Sequence, residues 1–125
     1  METMETIILK NLIQNEDYTR RVVPFLDEEY FKDRNERIVY TIIRDHIHKY
    51  NRSPNRDALI IALDDRGGMT EQSYKDTSII IKSITDTVDP VDNEWLIDQT
   101  EKFCKAKAVY NAILRSIEII DGKSK

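Results

Sequence analysis

Residues 93–120 read NEWLIDQTEKFCKAKAVYNAILRSIEII, and this stretch decides the fold class of the 125-residue chain. Apolar and small side chains recur in it at alternating spacings of three and four residues, which is the pattern of a long α-helix with one continuous seam. The positions on that seam are Leu96, Gln99, Phe103, Ala106, Tyr110, Ile113, Ile117 and Ile120. Because a seam of this length favours a second helix alongside it, the stretch predicts a long helix that needs a partner.

The rest of the chain has the pattern of several shorter amphipathic helices. Each is closed by helix-breaking residues, among them Pro24, Gly67-Gly68 and Asp89-Pro90. We expect helices from about Glu5 to Gln14, from Asp17 towards Pro24, from Asp33 to Tyr50, from Ser53 or Asn55 to Gly67, and from Thr70 to just before Asp89-Pro90. Asp17, Thr70 and either Ser53 or Asn55 are the predicted N-terminal caps of their helices. We expect one shared core, which includes Leu12, Phe25, Val39, Ile43, Leu63 and Ile81.

The predicted fold class is therefore all-α. The sequence favours a helical bundle, which we call the head, over residues 1–92, followed by a long helix and a C-terminal tail over residues 93–125. Composition agrees with this, since 40% of the residues are hydrophobic and 34% are charged, with only three Gly and three Pro. Such a balance favours long helices over a turn-rich sheet protein.

Charge and cysteine content limit the classes of partner. A formal net charge of -4 disfavours tight binding of nucleic acid by the surface as a whole. The single cysteine, Cys104, cannot form an intramolecular disulfide, and the N-terminus lacks a secretory signal, so a reducing cytoplasm is expected. No apolar run approaches the roughly 20 residues that span a bilayer, and no membrane partner is expected.

Residue patterns typical of catalysis are incomplete. Gly122-Lys123-Ser124 resembles the end of a phosphate-binding loop, but that loop needs a glycine where Ile117 stands. Cys104 lacks a histidine at a motif-defined spacing, so we interpret it as a structural thiol. We expect no catalytic residue and no cofactor-binding residue.

Two clusters of titratable residues have simpler explanations than catalysis or metal binding. His46 and His48 would point about 200° apart on a helix, which prevents both from gripping one metal ion, so no metal ligand is expected. The acids Glu28, Glu29, Asp33 and Glu36 could supply an acid and a base. Helix-start acids are already explained by the helix dipole, and an all-helical enzyme remains only as an alternative.

Two binding surfaces on the long helix are candidates. The candidate oligomer or partner interface consists of Phe103, Tyr110, Ile113, Leu114 and Ile117. Unpaired apolar seams mark interfaces, although burial within the same domain is the alternative. Lys102, Lys105 and Lys107 form the candidate phosphate-facing patch, for which a solvated helix face is the alternative because Asp98 and Glu101 offset the charge.

Several segments, taken in their order along the chain, resemble a known family. They are Glu5-Thr6-Ile7-Ile8-Leu9, Asp27-Glu28-Glu29-Tyr30-Phe31, Ser53-Pro54, Ala58-Leu59, Ala62-Leu63, Trp95-Leu96, Thr100-Glu101-Lys102-Phe103, Tyr110-Asn111-Ala112 and Ile117-Glu118-Ile119. In order and spacing they resemble the N-terminal domain of the replicative hexameric helicases of T-even-type phages, which are DnaB-type helicases. The resemblance covers nearly everything from Met4 to Ile120, and none of the segments is a catalytic motif.

The resemblance implies a helical head, then a long helical hairpin, a linker and a RecA-like ATPase motor domain. The helix from about Asn93 corresponds to the first arm of the hairpin. The second arm, the linker and the motor are expected to be absent from this chain. It is therefore expected not to be an enzyme by itself, with ATP and magnesium needed only by the motor domain.

The resemblance also implies partners. In the family the N-terminal domains pair through their hairpins, form a collar on the hexameric ring and offer a docking surface to primase. We therefore expect self-association as a dimer and within a hexameric ring, and primase as a partner. Single-stranded DNA is expected to be reached through the full assembly, in the cytoplasm of an infected bacterial host.

Two other functions fit the same helical pattern. The chain could be a free-standing adaptor that dimerises through the long helix, or the helicase-binding domain of a primase. A phosphate-binding loop encoded downstream of Lys125 indicates a helicase, whereas a stop codon there favours the adaptor. A polymerase domain upstream indicates a primase.

Overall fold

The computed structural model describes residues 2–86, 90–120 and 122, and every regular element in that part of the chain is helical. The α-helices are α1 (Met4–Gln14), α2 (Glu16–Val22), α3 (Arg34–Tyr50), α4 (Arg56–Arg66), α5 (Glu71–Thr85) and α6 (Asn93–Ile120). Two 3-10 turns, Val23–Phe25 and Glu28–Tyr30, lie between α2 and α3. The predicted all-α fold with a long C-terminal helix is confirmed.

Side-chain caps fix where the helices start. The carboxylate of Asp33 accepts the amides of Asn35 and Glu36 at 2.7 and 3.2 Å, and α3 begins directly after it. Thr70 caps α5 in the same way, as its position in the sequence predicts. Each cap satisfies an amide that has no partner inside its helix, which is why the starts can be read from the sequence.

One predicted cap is wrong. Asn15, and not Asp17, caps α2, since its side-chain oxygen accepts the amide of Tyr18 at 3.2 Å. The backbone amide of Asn15 also donates to the carbonyl of Asn11 at 2.9 Å and closes α1. Because one residue ends α1 and starts α2, the two helices follow each other without a linker. For α4 the two predicted caps were Ser53 and Asn55. Asn55 is the cap, since its side-chain oxygen accepts the amide of Ala58 at 2.8 Å.

The centre of the molecule is formed by α3, which packs against α1, α4 and α5. Five of the six predicted core residues are buried, namely Leu12, Val39, Ile43, Leu63 and Ile81. Phe25 is half-buried and packs against this core from the turn after α2. Phe31 is fully buried and stacks on the ring of Tyr40 at 4.8 Å between centroids.

The long helix begins where it was predicted, yet the core does not stop there. Leu96 and Ile97 belong to the same hydrophobic cluster as the head residues. Helix α6 packs mainly against α2, with further contacts to α1 and to the Glu28–Tyr30 turn. Residues 121 and 123–125 of the predicted tail lie outside the described residues, as does Asp89, before which α5 was expected to end. Within the described ranges, no helix combines the length and the apolarity needed to cross a membrane.

Candidate interface on the long helix

The first half of α6 is fixed to the head by a buried face. Leu96, Ile97, Thr100 and Cys104 are buried there, and only Leu96 lies on the predicted seam. The buried positions repeat at spacings of three and four, but on a neighbouring face of the helix. Sequence reasoning missed this face because its central residue, Thr100, is polar and the apolar pattern passes over it.

A buried hydrogen bond joins α2 to this face. The Tyr18 hydroxyl lies 2.7 Å from the Thr100 hydroxyl, which itself donates to the carbonyl of Leu96 at 2.8 Å. Tyr18 is therefore the donor to Thr100. Burial raises the pKa of the Tyr18 hydroxyl well above its ordinary value, so the group stays neutral and can donate. Both polar groups are satisfied in the interior, which is what permits a tyrosine at that depth.

Polar contacts also hold the start of α6. The side-chain amide of Asn15 donates to Asn93 at 2.6 Å, so the residue between α1 and α2 also contacts the first residue of α6. A guanidinium nitrogen of Arg21 lies 2.7 Å from the carboxylate of Glu94, and this pairing lowers the pKa of Glu94. The direction in which α6 leaves the head is therefore set by several independent contacts.

The second half of α6 carries the predicted interface residues on its exposed side. Tyr110 is 52% exposed, Ile113 53%, Leu114 42% and Ile117 47%. The alternative was that these residues are buried inside their own domain, and these four are not buried. Phe103 differs, because it is half-buried and packs against the core.

The exposed apolar face runs further than the sequence predicted. Trp95 is 53% exposed and precedes Ile113 by 18 residues, about five turns at 3.6 residues per turn, so both point the same way. We call this face the outer stripe; its exposed members are Trp95, Val109, Tyr110, Ile113, Ile117 and Ile120. The periodicity of α6 could have identified Trp95 as a member of this face. It was missed because the prediction placed its neighbour Leu96 on the seam instead.

The flank of the second half contacts the head at one place. The side-chain amide of Asn111 donates to the carbonyl of Glu29 at 3.3 Å, and Arg115 lies 3.4 Å from the Glu29 carboxylate. These contacts tie α6 to the Glu28–Tyr30 turn. The outer stripe is thereby held in a defined direction on a folded scaffold.

The three candidate phosphate-facing lysines do not share a face. At about 100° per residue, Lys102 and Lys105 lie about 60° apart, whereas Lys107 lies about 160° beyond Lys105. Lys102 and Lys105 are exposed, and the ammonium group of Lys107 sits 5.6 Å from the centre of the Phe103 ring. A joint phosphate contact by all three stays a prediction that this arrangement does not favour.

The acidic cluster is spread over separate structural roles. Asp33 caps α3, Glu29 contacts Arg115, and Glu28 lies 3.9 Å from Arg44. Glu36 is half-buried and receives the Thr6 hydroxyl at 3.5 Å; burial, with Asp33 and Glu5 nearby, raises its pKa. The four acids do not face one another around a pocket in the way an acid and base pair would.

The other titratable candidates are also in structural positions. His46 lies against the ring of Tyr50 at 4.7 Å between centroids. Burial raises the pKa of the Cys104 thiol to about 11, which leaves little reactive thiolate at neutral pH. No group of three potential metal ligands occurs among the residues that the structure describes. Of the Gly122-Lys123-Ser124 run, Lys123 and Ser124 lie outside the described residues.

A second apolar surface lies between α3 and α4, and sequence reasoning missed it. An open groove of about 1040 Å³ there is lined by Ala58 and Ala62, with Tyr50 and Ile61 on its walls. Tyr50 is 55% exposed and Ile61 61%. The small alanine side chains, four residues apart on one face of α4, leave the room that forms the groove.

Fold and surface together define a class: a small all-α domain with a fixed long helix that offers an unpartnered apolar face. Comparison with known proteins gives one strong match. The chain is 34% identical over 116 residues to the DnaB-like replicative helicase of Enterobacteria phage T4. The match covers 93% of this chain and 24% of the helicase, so the chain spans about a quarter of that relative's length. No family model matches the chain.

The stated resemblance to a phage replicative helicase of the DnaB type is confirmed by this match. A match over nearly all of this chain and a quarter of the helicase is consistent with one domain of that protein, such as its N-terminal domain.

Proposed function

We propose that the chain is the N-terminal assembly and primase-docking domain of a hexameric replicative helicase in phage DNA replication. One observation carries the assembly role: α6 is anchored to the head along one face and exposes the outer stripe on another. The likeness to the T4 helicase supplies the context of replication.

The outer stripe fits a second copy of this chain. Its apolar residues lie on one continuous helix, so two copies can pack side by side with the same residues in both surfaces. Trp95 and Tyr110 are the residue types that contribute most to interfaces. Burial of apolar area stabilises the pair by roughly 25 cal/mol per Å², while association and side-chain ordering oppose it, so a single pair of helices forms a weak dimer.

Light scattering across concentration tests the pairing. The unmodified chain is expected to dimerise as its concentration rises, and Ile113→Asp and Ile117→Asp are expected to be folded monomers, because an unpaired carboxylate in an apolar contact is costly. Ile119→Asp is the matched control, since Ile119 is 66% exposed on the same half of α6 but lies about 120° around the helix from Ile113, outside the outer stripe. Circular dichroism checks that each variant is folded.

Each outcome is informative. A monomer at all concentrations, or equal loss of association in Ile119→Asp, contradicts the role of the outer stripe. The domain assignment at residues 1–92 and 93–125 would be unaffected.

We assign primase docking to the groove between α3 and α4. It is the other surface in the described ranges where large apolar side chains, Tyr50 and Ile61, stand around an open volume. Its rim carries both signs of charge, with Asp45 and Asp65 against Lys49 and Arg52. An amphipathic helix with a mixed-charge flank fits such a groove.

Titration calorimetry with the primase from the same genome tests this assignment. Ile61→Asp is expected to weaken binding by at least about tenfold, which corresponds to about 1.4 kcal/mol. Ile79→Asp is the control, because Ile79 on α5 is similarly exposed, at 64%, and lies away from the groove. Equal effects of the two variants would exclude the groove.

The remaining parts of the proposal concern the whole protein. The full helicase uses ATP and magnesium in a motor domain outside this chain, forms a hexameric ring, and moves on single-stranded DNA in the cytoplasm of an infected bacterial host. The adaptor and the primase domain are the competing functions. Sequencing the gene on both sides of the coding region for this chain distinguishes the three.

A further inference from the structure

Three arginines from two helices meet around one depression on the head. The end of α4 and the start of α3 enclose a volume of about 500 Å³, and Arg34, Arg37 and Arg66 line it. We call this the arginine pocket. The lining also includes Glu28 and the loop residues Gly67, Gly68 and Met69. In a chain of net charge -4 this is a local concentration of positive charge.

In the described part of the chain, the three guanidinium groups are not paired with carboxylates. None of them forms an ion pair with a carboxylate in residues 2–86, 90–120 and 122. Arg37 uses its Nε to donate to the carbonyl of Phe31 at 3.2 Å, which fixes its direction and leaves its terminal nitrogens available. The carboxylate of Glu28 lies 3.9 Å from the guanidinium group of Arg44, which is not one of the three.

The glycine loop adds backbone donors. Gly67 has φ 64° and ψ -178°, and Gly68 has φ 69°, conformations that only glycine adopts without strain. In the described part of the chain, the amides of Gly67, Gly68 and Met69 donate to no backbone acceptor. A Cβ added at either glycine would meet nothing within 4 Å, so the space beside the loop is open.

The acids on the far side of this loop are occupied elsewhere. Asp64 accepts the hydroxyl of Tyr74, and Glu71 lies 3.6 Å from the ammonium group of Lys75. They line a separate, smaller depression with the glycines. The glycines line both depressions, but these acids lie in the one that does not contain the three arginines.

We propose that the arginine pocket binds a phosphate group, through the guanidinium groups of Arg34, Arg37 and Arg66 and the amides of Gly67 and Gly68. Guanidinium groups donate two parallel hydrogen bonds to a phosphate, and successive backbone amides form concave anion sites. A tetrahedral group with several oxygens can accept from donors on α3, on α4 and on the loop that follows α4. The phosphate belongs either to a free polyphosphate, as in a nucleotide, or to the backbone of a single nucleic-acid strand.

Nuclear magnetic resonance of the 125-residue chain provides a direct test. The chain has only three glycines, so the amide signals of Gly67 and Gly68 can be compared with that of Gly122 as an internal reference. Tripolyphosphate and a short oligothymidylate are titrated separately at equal phosphate concentration. The Gly67 and Gly68 signals are expected to shift in a saturable way, and the Gly122 signal is not.

Charge-matched variants locate the site. Arg66→Gln is expected to weaken binding by about three- to tenfold, as for the loss of one charged hydrogen bond at an exposed site. Lys82→Gln removes the same charge from α5, away from the pocket, and is expected to leave binding unchanged. The amide spectrum of each variant shows directly whether it is folded.

The two ligands distinguish the source of the phosphate. Saturation by tripolyphosphate with no response to the oligothymidylate indicates a free polyphosphate, and tighter binding of the oligothymidylate indicates a strand. The proposal is overturned if neither ligand shifts Gly67 and Gly68 more than Gly122, if Arg66→Gln and Lys82→Gln weaken binding equally, or if acetate competes as well as phosphate. Dimerisation through the outer stripe is independent of all these results.

Discussion

The two halves of α6 both carry large apolar side chains, but these side chains have opposite surroundings. In the first half, Leu96 and Ile97 are part of the head core, and Thr100 is buried with its hydroxyl bonded to Tyr18. In the second half, Ile113 and Ile117 are about half exposed. One continuous helix thus serves as a core element along one part and as a presenting surface along the other. The difference shows that an apolar pattern identifies a contact surface but does not show whether that surface is buried in the same domain or exposed.

The largest expected effect separates the two halves by stability. Leu96→Ala is expected to lower the free energy of unfolding by about 2–5 kcal/mol, since it leaves a cavity in a packed core. Ile113→Ala is expected to change it by less than about 0.5 kcal/mol when the chain is monomeric. Urea denaturation at low protein concentration measures both. Equal losses would mean that the second half is also buried in the monomer and would remove the contrast.

A smaller effect tests the buried hydrogen bond. Tyr18→Phe removes the donor to Thr100 and is expected to cost about 1 kcal/mol, because Thr100 keeps its bond to the Leu96 carbonyl. Tyr110→Phe makes the same chemical change on the outer stripe and is expected to have no measurable effect on the monomer. If the two substitutions change the unfolding temperature equally, the hydrogen bond between Tyr18 and Thr100 does not stabilise the packing of the first half of α6.

Alkaline pH is expected to lower the free energy of unfolding through Cys104, which is buried in the first half of α6. Burial holds the pKa of the Cys104 thiol at about 11 against an ordinary value of 9.0, so the folded state binds the proton more tightly than the unfolded state. Stability from this group is complete below pH 9 and falls as the pH rises from about 9 to 11. Unfolding curves of Cys104→Ala are expected to fall less over that range. A parallel fall in both proteins would assign the loss to other groups, such as Tyr40, whose pKa burial raises to about 12.

The smallest effect concerns the ion pair at the start of α6. Arg21→Gln is expected to lower the unfolding temperature slightly at low salt and not at high salt, because both partners are largely exposed. Arg21 lowers the pKa of Glu94, so this contribution is present above the ordinary glutamate pKa of 4.5 and is lost in acid. A difference between the proteins that survives at high salt or low pH would indicate packing by the Arg21 stem instead.

The order of helices and most of their ends could be predicted because they depend on neighbouring residues. Asp33 and Thr70 cap the amides two or three residues ahead, so each cap can be read within four positions. The α2 cap was misplaced because Asn15 and Asp17 are both good capping residues. Choosing between them depends on how closely α1 and α2 join, and that is a property of the packed pair.

The surfaces were predicted less completely. Tyr110, Ile113, Leu114 and Ile117 could be named from periodicity, but the pattern left their burial open, and only the packing of α6 on α2 decided it. Trp95 was missed because the same turn contains the buried Leu96. The arginine pocket was not detectable at all, since Arg34 and Arg66 are separated by 32 positions and each appears in the sequence as an ordinary exposed helix residue.

The sequence by itself determined the all-α class, the long C-terminal helix and the resemblance to a phage replicative helicase. Periodicity, capping and the order of similar segments depend on neighbouring residues or on linear order, so they can be read directly from the sequence. The tertiary structure alone decided which face of α6 is core and which is exposed, and it brought the three arginines together. Both outcomes depend on contacts between residues far apart in the chain. The free energies of such contacts cannot be read from any single segment of the sequence.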